Sequence, residues 1–380
     1  MPTRKPIRAA GFAVLIVWLA ALNQTASAVV AQTSTDAAPV LYALTEGSTY
    51  QHGCFPPCRC PISELARVQG TFVLTPTGFD GLFTTYKVAG VHWVVPRSDS
   101  FLRIYGSGSY RVGGEFAVMQ QLILDLVIDG QPVQHFDSGL VVGGGGFPAI
   151  DVVISINGMV CLDTVIHVVA KPLPVPSTLY RLARGSTFQQ GCFDFCACPV
   201  TLEMPLRGTF ILSPAEKDPL FAHYKVTQVN WRVVSEGWPV HLTGSGTYRV
   251  GGEVAITHQL QLDLSINGGP VQRFDSGLVP GGGYFPAIDI TISTDPAACF
   301  RTIIQVRARP AGDFNLSGSV DQEDFDHYQA CLTGPAITQD AAACRDADLD
   351  GDDDIDQEDF AILQRCITEE RLPIDPQCAE

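Results

Sequence analysis

The segment at residues 254–266 reads VAITHQLQLDLSI. Over most of its length every second side chain is aliphatic, and the side chains between them are polar or small. Such a period of two is typical of a β-strand that buries one face. The pattern therefore predicts a strand from Val254 to Ile266. Its predicted core-facing side chains are Val254, Ile256, Leu260, Leu262, Leu264 and Ile266.

A matching strand is predicted from Phe116 to Ile128, because the chain contains a long internal repeat. Residues 42–171 and 180–309 align without a gap at a constant offset of 138 positions. The motifs YRVGGE, FDSGLV and FPAID occur in both copies. Each copy has about 130 residues, the length of a domain rather than of a solenoid unit. We therefore expect two domains of one fold, called repeat one and repeat two below.

Further alternating segments predict more strands in each repeat. No segment keeps a helical period of 3.6, and Gly, Pro, Asn and Asp separate the candidate strands. This indicates a mostly β chain with two tandem antiparallel β-sandwich or barrel domains. Trp93 shares a strand face with Val91 and Val95, which predicts that it lies in the core. The additional strands predicted in repeat one are 71–74, 86–95, 104–112, 133–136, 150–156 and 164–169.

The first 28 residues have the three parts of a secretory signal peptide. They contain basic residues between Arg4 and Arg8, an apolar run at 11–22 and the cleavage motif Ala-Ser-Ala at 26–28. The apolar run has about 12 residues, whereas a helix needs about 20 to span a bilayer. We expect export to the extracellular medium or the cell surface, and no transmembrane segment after cleavage.

Composition predicts the other boundaries. A linker at 29–41 leads into repeat one at 42–171. Prolines at alternate positions favour an extended spacer at 172–179. Repeat two follows at 180–309, and a different composition marks a third domain at 310–380.

Each repeat has a C-x3-C-x-C motif near its start and one cysteine near its end. In an exported protein disulfides are expected, and a four-cysteine zinc site is the alternative. Cys58 and Cys60 are too far apart along an extended strand to bond each other. Two bonds should therefore tie each N-terminal segment, one of them reaching the distant cysteine, with the pairing left open. The cysteines are Cys54, Cys58, Cys60 and Cys161 in repeat one, and Cys192, Cys196, Cys198 and Cys299 in repeat two.

The net charge of -16 is concentrated in the third domain. Residues 313–380 contain 19 acidic and 3 basic side chains, which leaves 21 of each sign in the preceding 312 residues. A neutral body with an acidic end lacks the basic patch that nucleic acids require, so nucleic-acid binding is not expected.

The repeats show no catalytic motif. No histidine recurs at equivalent positions, and G-x-S-x-G, H-E-x-x-H and P-loop patterns are missing from the sequence. Carboxylates do recur, and a glycoside hydrolase with two of them is the enzymatic alternative. An exposed row of the shared aromatic residues would be a sugar-stacking surface, but their strand positions favour the core. The shared carboxylates are Asp80/Asp218, Glu115/Glu253, Asp125/Asp263, Asp137/Asp275 and Asp151/Asp289.

Two 12-residue loops in the third domain have oxygen-bearing residues at the spacing of a calcium site. Calcium takes six to eight oxygen ligands, commonly from positions 1, 3, 5, 7, 9 and 12 of such a loop. Loop one (313–324) has Gly318 at position 6, where the turn needs a positive φ, and Val320 at position 8. Its predicted ligands are Asp313, Asn315, Ser317, the Ser319 carbonyl, Asp321 and Asp324.

Loop two (348–359) begins 35 residues later and carries Asp353 instead of glycine at position 6. A register starting at Asp346 would put Gly351 at position 6 but Gln357 at position 12. The register starting at Asp348 is preferred because Ile355 then matches Val320, and these two residues are expected to pair between the loops. The predicted ligands are Asp348, Asp350, Asp352, the Asp354 carbonyl, Asp356 and Asp359.

A predicted helix follows each loop, with an apolar stripe that begins at Phe325 and again at Phe360. The four remaining cysteines recur at matching places after the loops. They predict two bonds that tie each helix to the following segment, Cys331–Cys344 and Cys366–Cys378.

The duplicated loop and helix, with Asp at position 12 of both loops, resemble a type I dockerin. That resemblance implies a small α-helical paired F-hand module that folds with two calcium ions and docks to a cohesin domain. It also implies an association with secreted polysaccharide-degrading proteins. Positions 10 and 11 of each loop influence the choice of cohesin in that family. They are Gln322, Glu323, Gln357 and Glu358 here, not the small hydroxyl residues common in cellulosomal members.

Together these features predict a secreted protein whose calcium module docks two β-domains to an extracellular, cohesin-like partner. A role in polysaccharide breakdown, as a glycan-binding protein or glycoside hydrolase, is the first alternative. A structural cell-surface protein is the second.

Overall fold

The computed structural model describes residues 38–63, 65–97, 100–143, 146–174, 176–193, 198–234, 240–281 and 285–368, together with Ile374 and Cys378. The predicted signal peptide and residues 29–37 of the predicted linker lie outside these residues. Within the described part of the chain, no helix is long and apolar enough to cross a membrane.

Repeat one forms an antiparallel sheet of 11 strands that encloses its own core. Strand β1 pairs with both β4 and β11, so the sheet folds back on itself. The sheet order is β1-β4-β5-β6-β7-β8-β10-β11-β2-β3, with β9 beside β7. The strands are β1 Val40–Leu44, β2 Thr49–Phe55, β3 Ala66–Arg67, β4 Gln69–Phe79, β5 Phe83–Pro96, β6 Phe101–Gly113, β7 Met119–Ile128, β8 Gln134–Asp137, β9 Val141–Val142, β10 Ile150–Ser155 and β11 Cys161–Pro172.

Repeat two has the corresponding sheet of 10 strands around a second core. Strand β12 pairs with both β14 and β21, as β1 does with β4 and β11. The strands are β12 Thr178–Leu182, β13 Thr187–Cys192, β14 Met204–Pro214, β15 Phe221–Val233, β16 His241–Gly251, β17 Thr257–Ile266, β18 Val271–Asp275, β19 Val279–Pro280, β20 Ile288–Ser293 and β21 Phe300–Pro310. The predicted class, two antiparallel β-sandwich domains followed by a small helical module, is confirmed.

Each core contains the aromatic residues that the strand pattern directed inward. Trp93 and its equivalent Trp231 are both buried, as are Tyr110 and Tyr248. The prediction that Trp93 belongs to the core is confirmed, and these indole rings do not form a surface for sugars.

The strand predicted from Val254 begins three residues later than expected. Gly251 of β16 pairs with Thr257 of β17, so residues 252–256 form the connection between these strands. Val254 is 97% exposed and Ile256 59% exposed, and Phe116 at the equivalent turn of repeat one is 96% exposed. The alternation continues into the turn, where the chain no longer has a neighbouring strand or a core beneath it.

The cysteines of the repeats form disulfides, as predicted. In repeat one the bonds are Cys54–Cys60 and Cys58–Cys161, and the second joins the N-terminal motif to the start of β11. In repeat two Cys192 bonds Cys198, and Cys299 is also disulfide-bonded. Cys196 lies outside the described residues.

The C-terminal module contains helices α1 (Gln322–Cys331) and α2 (Gln357–Cys366), with a 3-10 turn at Ala342–Cys344 between them. The predicted bonds Cys331–Cys344 and Cys366–Cys378 are both present. The core of the module also includes Leu179 of β12 and Ile211 of β14. The module is therefore packed against repeat two and shares apolar side chains with it.

Candidate metal centre

Loop one folds back over the carboxylates at its two ends. Asp313 is fully buried, and its two oxygens accept hydrogen bonds from the amides of Ser317 at 2.8 Å and Gly318 at 3.0 Å. Asp324 is also buried and accepts from the Phe314 amide at 2.8 Å. Both carboxylates are thereby held inside the loop by its own backbone.

The intermediate predicted ligands of loop one are linked one to the next. Asn315 Oδ1 accepts from the Ser317 amide at 2.9 Å, and Ser317 Oγ lies 3.0 Å from Ser319 Oγ. Ser319 Oγ donates to Asp321 Oδ2 at 3.1 Å. Oxygen-bearing side chains at alternate positions therefore follow one side of the loop.

Loop two has the same construction and follows the register that begins at Asp348. Asp348 Oδ1 accepts from the amides of Gly351 at 2.7 Å and Asp352 at 3.1 Å, and Asp359 Oδ1 accepts from the Leu349 amide at 2.6 Å. Asp346 instead lies 3.0 Å from His327 Nε2. The position-1 carboxylate of loop two is thus held by the loop amides, as in loop one.

The carboxylates of loop two form two groups of three. Oxygens of Asp348, Asp350 and Asp352 lie within 4.8 Å of one another, and oxygens of Asp354, Asp356 and Asp359 form the second such group. The sequence assigned Asp354 only a backbone carbonyl. Its carboxylate is instead buried in this group, with Oδ2 accepting from the Ala336 amide and Oδ1 lacking a hydrogen-bond partner.

Position 6 has a positive φ in both loops, as the sequence predicts. The angle is 91° at Gly318 and 75° at Asp353. Position 4 is also in the left-handed region, with 58° at Leu316 and 82° at Gly351. Each loop therefore has one glycine and one strained non-glycine residue at these two positions, in opposite order.

The final ligand position of each loop also begins a helix. Asp321 and Asp324 form a reciprocal capping box at α1, and Asp356 and Asp359 form the same box at α2. In each box the two carboxylates accept backbone amides at the helix start, where negative charge is favourable. The side chains that would bind a metal therefore also stabilise the helix that follows it.

The position-8 residues do not pair with each other as predicted. The Val320 amide donates to the Thr368 hydroxyl at 3.2 Å, and the Thr368 amide donates to the Val320 carbonyl at 2.9 Å. Ile355 makes the matching contacts with Thr333 at 3.0 and 3.1 Å. Each loop is thus joined to the threonine that follows the helix of the other loop, and this threonine bonds both the amide and the carbonyl of the position-8 residue.

The electrostatics of the loops favour a bound cation. Burial raises the pKa of Asp313 to about 6 and that of Asp350 to about 7. The neighbouring carboxylates Asp359 and Asp352 raise the pKa of Asp350 further. Burial also raises the pKa of Asp324 and of Asp359. The raised pKa values mean that burial disfavours the charged form of these carboxylates, and the positive charge of a bound metal ion would favour it.

The donor set fits a hard divalent cation. Carboxylate, amide and hydroxyl oxygens occupy the predicted positions, and the unpartnered Oδ1 of buried Asp354 points to a missing ligand contact. Oxygen ligands of this kind are those that calcium prefers.

Repeat two also reaches both loops, which the sequence did not reveal. Thr178 Oγ1 donates to Asp313 Oδ2 at 3.2 Å. Arg309 Nη1 donates to Asp348 Oδ2 at 3.0 Å and to the Asp348 carbonyl at 2.8 Å. Arg181 Nη1 donates to the Leu349 carbonyl. The only sequence signal for these contacts is the change of residue type between the repeats at these positions.

The predicted partner-contacting residues lie in the first turn of each helix and are exposed. Glu323 accepts from Asn315 Nδ2 at 3.1 Å. Glu358 lines a cleft of about 720 Å³ between loop two and repeat two, together with Arg181 and Arg184. The two pairs are therefore in different surroundings although their sequences match.

Three histidines of repeat one make contacts between neighbouring strands. At the equivalent positions of repeat two, glutamine or arginine makes the same contacts. His52 Nδ1 lies 2.8 Å from Thr164 Oγ1, and Gln190 Nε2 donates to the equivalent Thr302 at 3.0 Å. Two further pairs are exchanged in this way and connect neighbouring strands in both repeats. They are His167–Asp151 with Gln305–Asp289, and His135–Asp125 with Arg273–Asp263.

Other shared carboxylates cap turns. Asp80 Oδ1 accepts from the Leu82 and Phe83 amides at 2.9 and 2.7 Å, and Asp218 does the same one repeat later. Asp137 accepts from the Gly139 amide at 2.7 Å. These hydrogen bonds account for the recurrence of the carboxylates as parts of the fold.

No protein-family model, curated protein or solved structure matches this chain. The resemblance of the paired loops to a type I dockerin therefore stays a prediction.

Proposed function

We propose that the C-terminal module binds two calcium ions, one in each loop, and that the calcium-bound module attaches the two β-repeats to a partner protein outside the cell. The observation that carries the proposal is the burial of position-1 and position-12 carboxylates in both loops. Asp313, Asp324, Asp348 and Asp359 are each at most 4% exposed. Burial disfavours the charged form of these acids, and a bound cation would stabilise it.

In loop one, Asp313, Asn315, Ser317, Asp321 and Asp324 would hold the ion with the Ser319 carbonyl. In loop two the ligands would be Asp348, Asp350, Asp352, Asp356 and Asp359, with an oxygen of Asp354. A bound calcium supplies two positive charges to each group of carboxylates. The helices that begin at positions 9 to 12 would then be fixed relative to the loops, since the same side chains cap them.

Attachment to a cohesin-like domain is the use that the dockerin resemblance implies. The exposed first turn of α1, with Gln322 and Glu323, is the proposed contact surface. Glu358 at the start of α2 instead lines the cleft beside repeat two. Gln322 and Glu323 do not line this cleft, so we take the α1 end as the contact surface.

The first experiment is a calcium titration of the chain that begins after residue 28, by isothermal calorimetry with native mass spectrometry to count ions. We expect two ions, one ion in a variant with Asp313→Asn and Asp321→Asn, and one in a variant with Asp348→Asn and Asp356→Asn. Asp125→Asn, an exposed acid of repeat one, is the control. No uptake at about 1 mM free calcium, above the range of sensor loops, would reject the metal proposal.

The second experiment measures binding of the same chain to purified cohesin domains in calcium and in chelator. We expect binding that calcium supports and chelator abolishes, weakened by Gln322→Ala with Glu323→Ala more than by Gln357→Ala with Glu358→Ala. Calcium uptake without binding to any cohesin would reject docking while leaving the metal sites in place.

A further inference from the structure

Two arginines of repeat two stand side by side against loop two. Arg181 in β12 and Arg309 in β21 are directly opposite each other in the strand pairing. Like charges at opposed positions repel and destabilise a strand pair. Here Arg309 binds the carboxylate and carbonyl of Asp348, and Arg181 binds the carbonyl of Leu349. The acidic loop is therefore what makes this arginine pair tolerable.

The internal repeat shows that this pair is particular to repeat two. At the offset of 138 residues, Arg181 corresponds to Ala43 and Arg309 to Lys171, which also oppose each other between β1 and β11. Two further arginines of the same cleft, Arg184 and Arg207, correspond to Glu46 and Gln69. Repeat one has none of these four arginines.

Loop two is the more acidic of the two loops, with eight acidic side chains against four in loop one. Loop one has three carboxylates among its predicted ligands and loop two has five. Loop one receives from repeat two the neutral hydroxyl of Thr178, on Oδ2 of its position-1 aspartate. Loop two receives a guanidinium on the same atom of its own position-1 aspartate, with a second guanidinium beside it.

We propose that Arg309 and Arg181 are built-in counter-charges for loop two, which hold it folded before calcium binds and lower its calcium affinity. This inference rests on the proposed calcium sites. The five carboxylates of loop two would otherwise make it the tighter site, because affinity rises with ligand charge. Repeat two thereby sets how strongly the module binds its second ion.

The hydrogen bonds that hold Asp348 decide whether loss of Arg309 should raise or lower the calcium affinity of loop two. Its carboxylate also accepts hydrogen bonds from the amides of Gly351, Asp352 and Asp353. Loss of Arg309 therefore leaves the ligand in place and removes chiefly a positive charge that repels the incoming cation. If Arg309 only oriented Asp348, its loss would instead lower the calcium affinity, because loss of a supporting contact weakens a metal site about 10- to 100-fold.

The test measures calcium affinity in the full chain with loop one disabled by Asp313→Asn and Asp321→Asn. In that background Arg309→Gln should bind calcium about tenfold more tightly, and Arg309→Lys should match the unmodified loop, because it keeps the charge. Arg181→Gln should change the affinity in the same direction. Arg307→Gln is the matched control, since this exposed arginine of the same strand pairs with Asp289.

Hydrogen exchange of the same variants in chelator provides a second measurement. Without calcium, Arg309→Gln should increase exchange at residues 348–359 about tenfold, and added calcium should restore protection, which also shows that the variant folds. Unchanged or weaker calcium binding in Arg309→Gln, or equal losses in Arg309→Gln and Arg309→Lys, would overturn the counter-charge role. Absence of calcium binding in the chain with both loops intact would instead reject the metal proposal on which it rests.

Discussion

Leu179→Ala should destabilise the C-terminal module although Leu179 belongs to the first strand of repeat two. Along β12, Tyr180 and Leu182 point into the core of repeat two, and Leu179 points to the other face, as strand alternation requires. There it packs with Ile211 and the apolar side chains of the module, and it is 3% exposed. The module therefore lacks part of its core without repeat two.

The expected free-energy cost of Leu179→Ala follows from the surroundings of Leu179. Replacing a buried leucine by alanine costs about 2.7–5 kcal/mol, and the larger values belong to sites that cannot collapse. Leu179 borders an apolar cleft lined also by Leu41, Leu173 and Ile211, so the neighbouring side chains have room to move into the space left by the substitution. We therefore expect about 3 kcal/mol, the lower part of this range, or roughly a hundredfold change in the opening equilibrium of the module.

Native-state hydrogen exchange of the calcium-saturated chain is the appropriate measurement. The amides of α1 and α2 should exchange about a hundredfold faster in Leu179→Ala, if the module opens as one unit. The comparison variant is Leu41→Ala, at the equivalent position of β1, which lines the same cleft but is half-buried and does not belong to the core of the module. Its effect should be about half as large or less and should lie in repeat one.

Unaltered exchange in both helices, with faster exchange confined to the strands of repeat two, would refute this account of a shared core. It would mean that the module is stable without Leu179 and that the contact is incidental.

Three other perturbations have expected outcomes. Leu316→Gly should raise the unfolding free energy of the calcium-free chain by about 0.5–1 kcal/mol in denaturant titrations, because glycine adopts φ 58° without strain; a loss of stability would contradict this. In chelator, the raised pKa of Asp350, about 7, means that the folded state binds more protons than the unfolded state between about pH 4 and 7. Stability should therefore fall as pH rises from about 4 to 7, whereas calcium affinity should rise; a rise of both would contradict the buried-carboxylate account. Removing the Cys58–Cys161 bond with two alanines should cost about 4.7 kcal/mol, against about 2 kcal/mol for Cys54–Cys60, since their sequence separations are 103 and 6; equal losses in thermal unfolding would contradict this loop-length account.

The strand pattern predicted the centres of strands better than their ends. Leu260, Leu262 and Leu264 are buried as their alternation requires. Val254 continues the same alternation but lies in a turn, since the hairpin register closes at Gly251 and Thr257. A period of two predicts on which face of the sheet a side chain lies. It does not predict where the pairing with the neighbouring strand ends.

Some disulfides could be predicted from the spacing of the cysteines, and others depend on how the strands pack. The bonds Cys331–Cys344 and Cys366–Cys378 were predictable because the module is duplicated and the paired cysteines have nearly the same separation in both halves, 13 and 12 residues. Within repeat one the sequence excluded only Cys58–Cys60. The choice of Cys58 rather than Cys54 as the partner of Cys161 depends on how β2 lies beside β11.

By itself the sequence determined the repeated β-domain and the paired loops, and it predicted which oxygens would serve as ligands. These features depend on local periodicity and on spacing within 12 residues, which the chain specifies directly. Only the tertiary structure decided that Thr178, Arg181 and Arg309 contact those loops, and that Thr333 and Thr368 join each loop to the other half of the module. Their partners lie between 22 and 168 positions away along the chain. Such contacts arise only when separate elements pack together, because sequence spacing carries no information about which surfaces meet.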